Sequence, residues 1–268
     1  MSRTLISLAL GGVIAASGTT IAIAKEPAAP AAASTAGYLG ETGPDTYKIL
    51  PPAPVAGTIR FEADRATFLA TRASKDTPRW SLAIADANEA AIVQDMSCAI
   101  GMELTPDKAP KLTNVLMTMR FDVRHAVNKP KDIYKRQRPY LIDEGPICVE
   151  KTDGLAASPD YPSGHTTWGW SVGLILAELI PDRSTEILTR ARSFGESRLF
   201  CGVHNMSAVE SGRTNGSAVV AGLHGSAKFR SDMDAARLEL AALRKTAKAP
   251  DPAACAAQAE LIAKSPYN

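Results

Sequence analysis

The sequence has few of the residues and motifs that bind metal ions or nucleic acid. It contains only four histidines and four cysteines, and it has no HExxH motif, no aspartate-rich loop and no Cys-x-x-Cys pair. Its charge is nearly balanced, with a formal net charge of +2 and no long basic run. The sequence therefore predicts no metal, no other cofactor and no nucleic-acid partner.

Alternation of apolar and polar residues, which is typical of strands, is nearly absent from the chain. Apolar residues instead recur at helical spacing in a series of segments. These segments are 79–102, 111–128, 166–180, 184–202, 207–225, 226–247 and 252–264. Because no repeat or internal linker separates them, the sequence predicts one all-α domain, a compact helical bundle, over residues 59–268.

The N-terminus carries the one long apolar stretch of the sequence. Arg3 is followed by apolar and small residues up to the tripeptide AIA at 22–24, which is typical of a secretory signal peptide. We predict a signal peptide at 1–24, an Ala/Pro-rich leader and loop at 25–58, and the periplasm as the compartment. A retained anchor helix is the alternative. Beyond this stretch no apolar run reaches about 18 residues, so no membrane span is predicted.

The four cysteines are an even number in a chain that is predicted to be exported. They are Cys98, Cys148, Cys201 and Cys255. Such a set predicts two disulfides and leaves all three pairings open. Four free buried thiols are the alternative.

Three short polar stretches interrupt the helical pattern. They are KDIYKRQRP at 131–139, PSGH at 162–165 and SRLFCGVH at 197–204. Taken singly, a basic run is usually a solvated surface, a serine before a helix is usually its N-cap, and a histidine is usually structural. Taken together, the three stretches supply two arginines, a lysine, a helix N-terminus and two histidines. These groups can bind a dianionic phosphate and exchange protons with it.

The predicted site divides into phosphate-binding and reacting residues. The phosphate-binding residues are Lys131, Arg138, Ser163, Gly164 and Arg198. The amides at the helix start favour an anion, and Gly164 has no side chain to keep an oxyanion from its backbone. His165 and His204 supply the acid and the nucleophile. We interpret the other two histidines, His125 and His224, as structural or surface residues.

The three stretches resemble the signature of the class A bacterial non-specific acid phosphatases, which is K-x6-RP, then PSGH, then SR-x5-H-x3-D. This family lies within the type 2 phosphatidic acid phosphatase and vanadium haloperoxidase superfamily. Lys131 and Arg138 have the required spacing, PSGH is complete, and five residues separate Arg198 from His204. The resemblance covers about residues 60–245.

The resemblance implies a metal-independent hydrolysis of small phosphate monoesters in two steps. His204 would be the nucleophile that becomes a phosphohistidine, and His165 would be the general acid and then the base. Lys131, Arg138 and Arg198 would stabilise the charge on the phosphoryl oxygens. A homo-oligomer is left open, because family members are often oligomeric. On this basis the chain is predicted to be a secreted acid phosphatase.

The chain departs from the signature at one position, where Ala208 stands in place of the final Asp. On a helix this Asp would share a face with His204 and orient its imidazole, and the loss of such a carboxylate can lower the rate about 10⁴-fold. Glu210 would lie about 120° from the His204 face, and Ser207 brings no charge. Three outcomes are open: a slower enzyme, an acid from elsewhere in the chain, or a protein that binds phosphate esters with little turnover. A vanadate-dependent haloperoxidase is a further alternative.

Overall fold

The computed structural model describes Met1, residues 36–264 and residues 266–267. The predicted signal peptide and most of the predicted leader lie outside the described residues. The described residues contain no strand, so the predicted all-α class is confirmed. The α-helices are α1 (Thr46–Ile49), α2 (Ile59–Thr71), α3 (Pro78–Ala85), α4 (Ile92–Asp95), α5 (Ser97–Ile100), α6 (Pro110–Tyr134), α7 (Asp153–Ala157), α8 (Gly164–Leu179), α9 (Ser184–Cys201), α10 (Met206–Leu223), α11 (Ala227–Leu243) and α12 (Pro252–Ala263).

Helix α8 lies at the centre of the fold and packs against α6, α9 and α10. Its residues are apolar on nearly all sides, as expected for a helix that is covered by neighbours. Small residues let the neighbours approach closely. A Cβ atom on Gly173 would lie 2.3 Å from the Cβ of Ala191 in α9, and one on Gly212 in α10 would lie 2.8 Å from the carbonyl oxygen of Ser163. This packing presses α10 against the start of α8.

The predicted single helix over 79–102 is wrong. Helix α3 ends at Ala85, and a 3-10 turn (Glu89–Ala91) precedes the short helices α4 and α5. The break has a local and a long-range cause. Asn88 accepts a hydrogen bond from the amide of Ala90, and the buried carboxylate of Asp86 is bound by Arg190 of α9. The irregular backbone brings Glu89 to the rim of the cavity described below.

The predicted helix over 111–128 extends further, because α6 continues to Tyr134. Pro130 lies inside its last turns, and the helix ends at Lys135 in the left-handed conformation, with φ 47°. The extension matters for the site, because it places Lys131 in the last turn of α6 and buries its side chain.

Part of the segment 36–58, which the sequence predicts as leader and loop, contacts α6. The amide of Tyr38 donates to Asp122 (2.8 Å), and the hydroxyl of Thr46 donates to the carbonyl of Ala126 (2.6 Å). The carbonyl of Pro51 accepts a 2.5 Å hydrogen bond from the hydroxyl of Tyr161. The same segment therefore supports the loop that leads into α8.

The two predicted disulfides are confirmed and their pairing is resolved. Cys98 of α5 is bonded to Cys255 of α12, and Cys148 is bonded to Cys201 at the end of α9. The second pair lies beside the polar stretch that ends at His204, and the amide of Cys148 also donates to the carbonyl of Cys201 (2.9 Å).

Removing the Cys148–Cys201 disulfide with the double variant C148S/C201S is expected to destabilise the fold by about 4 kcal/mol, because the bond closes a long loop in the unfolded chain. Urea unfolding measures this loss. Because Cys201 lies three positions before His204, the variant C148S/C201S should also raise KM. The variant C98S/C255S should lose a similar stability, yet retain the wild-type KM, because that bond joins α5 to α12 and neither cysteine lies near the stretch that ends at His204. Equal changes of KM in both variants would contradict a link between the second disulfide and the site.

Candidate active site

The three polar stretches of the sequence meet at one cavity of 290 Å³. Its lining residues are Ala87, Glu89, Lys131, Arg138, Leu155, Ser158, Gly164, His165, Arg198 and His204. The lysine comes from the end of α6, the glycine and His165 from the first turn of α8, and Arg198 from the last turn of α9. His204 lies in the loop between α9 and α10. The fold thus joins every predicted site residue except Ser163 at one cavity.

Ser163 caps α8 and does not line the cavity. Its Oγ accepts hydrogen bonds from the amide of Thr166 (3.2 Å) and from the Thr166 hydroxyl (3.0 Å). Its own amide donates to the carbonyl of Ala208 (3.0 Å). The structure therefore gives Ser163 a capping and docking role, and it is Gly164 and His165 that lie at the cavity wall.

Two of the three cations are held in place by carbonyl oxygens. Arg138 donates from Nε to the carbonyl of Ser158 (2.8 Å) and from Nη1 to that of Val203 (2.8 Å). Lys131 donates to the carbonyl of Pro159. Burial lowers the pKa of Lys131 to about 8, so its ammonium group is charged at acid and neutral pH.

Arg198 and His165 carry buried polar atoms without a partner among the described residues. These atoms are Nε and Nη1 of Arg198 and Nε2 of His165. A buried N–H group with no acceptor costs about 1–3 kcal/mol, so such groups are usually filled by a ligand or serve a reaction. Burial lowers the pKa of Arg198 to about 10, which still leaves it cationic. The cavity is therefore built to receive an anion.

His204 is held as a neutral imidazole with a defined tautomer. Its Nδ1 lies 2.9 Å from Oδ1 of Asp160, and its Nε2 lies 3.2 Å from Nη1 of Arg138. Because a guanidinium can only donate, Nε2 bears the lone pair and Nδ1–H donates to the carboxylate. Burial and the charges of Arg138 and Lys131 hold the pKa of His204 well below its ordinary value. The unprotonated Nε2 can therefore act as a nucleophile.

Asp160 is a functional residue that the sequence analysis missed. It is fully buried and accepts hydrogen bonds from the amide (3.1 Å) and Nδ2 (2.9 Å) of Asn205. Burial raises its pKa, while the charge of Arg136, 3.5 Å away, and the bonds from Asn205 oppose that rise. Arg136 is in turn bound to Asp64 (2.7 Å). The network supports a carboxylate that orients His204.

The residues weighed as substitutes for the missing Asp do not contact His204. The helix assumed at His204 begins only at Met206, so the predicted face shared by positions 204 and 208 does not exist. Glu210 pairs with Arg60 (3.2 Å) near the surface, and Ser207 is bound to Asp64. The acid comes from elsewhere in the chain, two positions before PSGH. Its adjacency to that motif is the one signal in the sequence that could have identified it.

His165 is clamped between a ring and a second carboxylate. Its imidazole stacks on Phe194, with centroids 4.2 Å apart and planes at 7°. Its Nδ1 lies 3.2 Å from Oε1 of Glu89. Burial and the charge of Arg198 lower the pKa of His165 to about 4, and the hydrogen bond and charge of Glu89 oppose this fall. Glu89 was also missed by the sequence analysis, because a helix was predicted across it.

The other two histidines are exposed, and neither lines the cavity. His224 pairs with Glu178 (3.3 Å), away from the predicted site. Among residues 36–264 and 266–267, no group of three or more His, Cys, Asp or Glu side chains is arranged to hold a metal ion.

Comparisons with known proteins agree with this geometry. Residues 112–231, which include every residue predicted for the site, match the model of the PAP2 superfamily. An acid phosphatase of Zymomonas mobilis is 40% identical over 256 residues, which cover 94% of this chain and 96% of the relative. The chain belongs to the class A bacterial non-specific acid phosphatases of the PAP2 superfamily. A non-specific acid phosphatase of Providencia stuartii is 35% identical over 205 residues, which cover 75% of this chain and 83% of the relative. One of Salmonella typhimurium is 31% identical over 195 residues, which cover 71% of this chain and 78% of the relative.

Membership in this family makes the chain an enzyme, an acid phosphatase. Over the described part of the chain, none of the helices combines the length and the apolar character that crossing a membrane requires.

Proposed function

We propose that this acid phosphatase hydrolyses small phosphate monoesters through a phosphohistidine on His204. The observation that supports the proposal is the set of side chains that line one cavity. The cavity brings the unpartnered donors of Arg198 together with a neutral His204, whose Nδ1–H is held by Asp160. An anion-binding site and an oriented nucleophile are the two requirements of phosphoryl transfer to a side chain.

In the first step, Nε2 of His204 attacks phosphorus, and the bond from phosphorus to the alcohol oxygen breaks. His165 donates the proton on its Nε2 to that oxygen, so the alcohol leaves neutral. Lys131, Arg138 and Arg198 stabilise the charge on the three non-bridging oxygens. Asp160 stabilises the positive charge that forms on the His204 ring.

In the second step, a water molecule attacks the phosphohistidine. His165, now neutral, takes a proton from the water, and the phosphorus–nitrogen bond breaks to release inorganic phosphate. Both histidines then return to their starting states. The alternative of a protein that only binds phosphate esters depended on the missing carboxylate at position 208. Asp160 supplies a carboxylate to His204, so this alternative loses its support.

The test is rapid acid-free quenching of the enzyme after mixing with phosphate-labelled p-nitrophenyl phosphate. Label should appear on the wild type as a base-stable, acid-labile adduct and be absent from H204A. The variant H165A should lose about 10²- to 10⁴-fold in kcat for glycerol 2-phosphate, whose alcohol must be protonated as it leaves, and retain most of its affinity for inorganic phosphate. H125A, which changes an exposed histidine, is the control. An unchanged kcat in H165A would reject the mechanism, and bromide oxidation with added vanadate would favour a haloperoxidase.

Export to the periplasm is part of the same proposal. The signal-peptide pattern at 1–24 and the two disulfides both fit an oxidising compartment. Fractionation of expressing cells tests it, and the mature protein should begin after the AIA tripeptide at 22–24. Sedimentation of that mature protein would also determine whether it forms a homo-oligomer.

A further inference from the structure

We propose that Glu89 is the positioning residue of the general acid: its carboxylate holds Nδ1 of His165, so that Nε2 presents the proton to the leaving oxygen. This inference rests on the proposed function, because it assigns the partner of His165 within the same mechanism. Neither the signature of the family nor the helical pattern of the sequence points to Glu89, which lies on a 3-10 turn far from the three polar stretches in sequence.

Of the two ring nitrogens of His165, Nδ1 has a polar contact and Nε2 has none among the described residues. Oε1 of Glu89 lies 3.2 Å from Nδ1, while Nε2 is buried, has no partner among the described residues and belongs to a side chain that lines the cavity. The parallel stacking of the ring on Phe194 opposes its rotation. With Nδ1–H donated to a carboxylate, only the imidazolium carries a proton on Nε2, and the negative charge of Glu89 stabilises that form.

Glu89 is itself held in place, although its backbone is irregular. Its second oxygen, Oε2, lies 2.5 Å from Nη2 of Arg120 in α6. The guanidinium of Arg120 in turn lies over the ring of Trp168 in α8, 4.9 Å from the centroid. The carboxylate therefore divides its two oxygens between a histidine and an arginine. Its side chain is 29% exposed at the rim of the cavity, where a leaving alcohol would pass.

The charged groups around His165 explain why it needs this partner. Arg198 acts on it directly, and Lys131 and Arg138 lie in the same cavity, so the cations disfavour the imidazolium. Two carboxylates oppose them, Glu89 by contact and Asp86 at longer range. The charge of Asp86 is already engaged by Arg190 (2.5 Å). His204 also faces the cavity but is neutral. Glu89 is thus the carboxylate placed to stabilise the charged form of His165 against the burial and the cations that lower its pKa.

The isosteric variant E89Q tests the assignment with two substrates. Nitrophenolate leaves without a proton, whereas the alcohol of glycerol 2-phosphate must be protonated as it leaves. We expect kcat/KM to fall about threefold for p-nitrophenyl phosphate and about 10²-fold for glycerol 2-phosphate. Loss of the negative neighbour lowers the pKa of His165, so the alkaline limb of the kcat/KM profile should move to lower pH by about one unit. Ionisation of the substrate affects the profiles of the wild type and E89Q equally, so it does not contribute to the difference between them.

The matched control is E178Q, which removes a similar glutamate–histidine contact, that of Glu178 with His224 (3.3 Å), outside the cavity. It should leave both substrates and the limb unchanged. Equal losses for the two substrates with an unmoved limb would overturn the assignment, as would wild-type kinetics in E89Q. H165A separates the two proposals: if it is impaired on glycerol 2-phosphate while E89Q is not, only the role of Glu89 is rejected.

Discussion

Replacement of Asp160 by Asn should lower kcat about 10³- to 10⁴-fold while phosphate binding changes little. An amide at this position carries no charge to stabilise the His204 imidazolium. Its NH₂ group would also favour the wrong tautomer, with the proton on Nε2. The corresponding change in a Ser-His-Asp triad has an effect of about 10⁴ for this reason. Steady-state hydrolysis of p-nitrophenyl phosphate, together with the inhibition constant of inorganic phosphate, separates turnover from binding.

Asp64 provides the matched control for this variant. It is a second buried carboxylate of the same network and contacts Arg136 and Ser207, yet it does not touch His204. D64N should therefore cost stability and leave kcat within about tenfold of the wild type. If D64N and D160N lost activity equally, the effect would belong to the network as a whole and Asp160 would not be the orienting group.

Restoring the carboxylate of the family signature with A208D should not raise the activity of the wild type. His204 already has its carboxylate, and Ala208 is fully buried beside the start of α8, where its carbonyl accepts from the amide of Ser163. An added charge there would have to be buried as well, which is unfavourable. An increase of about 10²-fold or more, equivalent to roughly 3 kcal/mol in the barrier, would show that Asp160 does not orient His204.

Replacement of Arg198 by Met should lower kcat/KM about 10²- to 10³-fold and at the same time stabilise the ligand-free fold by about 1–3 kcal/mol. The loss of activity follows from the removal of a cation that binds the phosphoryl oxygens. The gain in stability follows from the buried Nε and Nη1 atoms, which have no acceptor in the described part of the chain. Steady-state hydrolysis of p-nitrophenyl phosphate measures the loss of activity. Urea unfolding with and without inorganic phosphate measures the gain in stability, and added phosphate should stabilise only the wild type.

Arg190 lies on the same helix and is the control for this trade-off. It is also buried, but its guanidinium is bound to both oxygens of Asp86. R190M would leave Asp86 as an unpaired buried charge, so it should destabilise the fold by about 3–5 kcal/mol. If R198M destabilised the protein as much as R190M does, then Arg198 would have a structural partner and would not be held ready for an anion.

The sequence by itself determined the helical class and singled out most of the polar residues that line the cavity. Helices α8 to α12 follow from apolar periodicity between proline and glycine boundaries, since these signals are local. Lys131, Arg138, His165, Arg198 and His204 could be named because they match the family spacing, and the fold gathers all five at one cavity. The even number of cysteines indicated two disulfides but left their pairing open.

Only the tertiary structure decided which carboxylates serve the two histidines. Asp160 reaches His204 across 44 positions of sequence, and Glu89 reaches His165 from a turn that interrupts a pattern read as a continuous helix. Neither contact has a periodic signal, because each depends on how α8, α9 and α10 pack and on where the loops between them end. The prediction that positions 204 and 208 share a helix face was wrong for the same reason. Helix α10 begins after His204, so helical geometry could not identify the carboxylate that contacts His204.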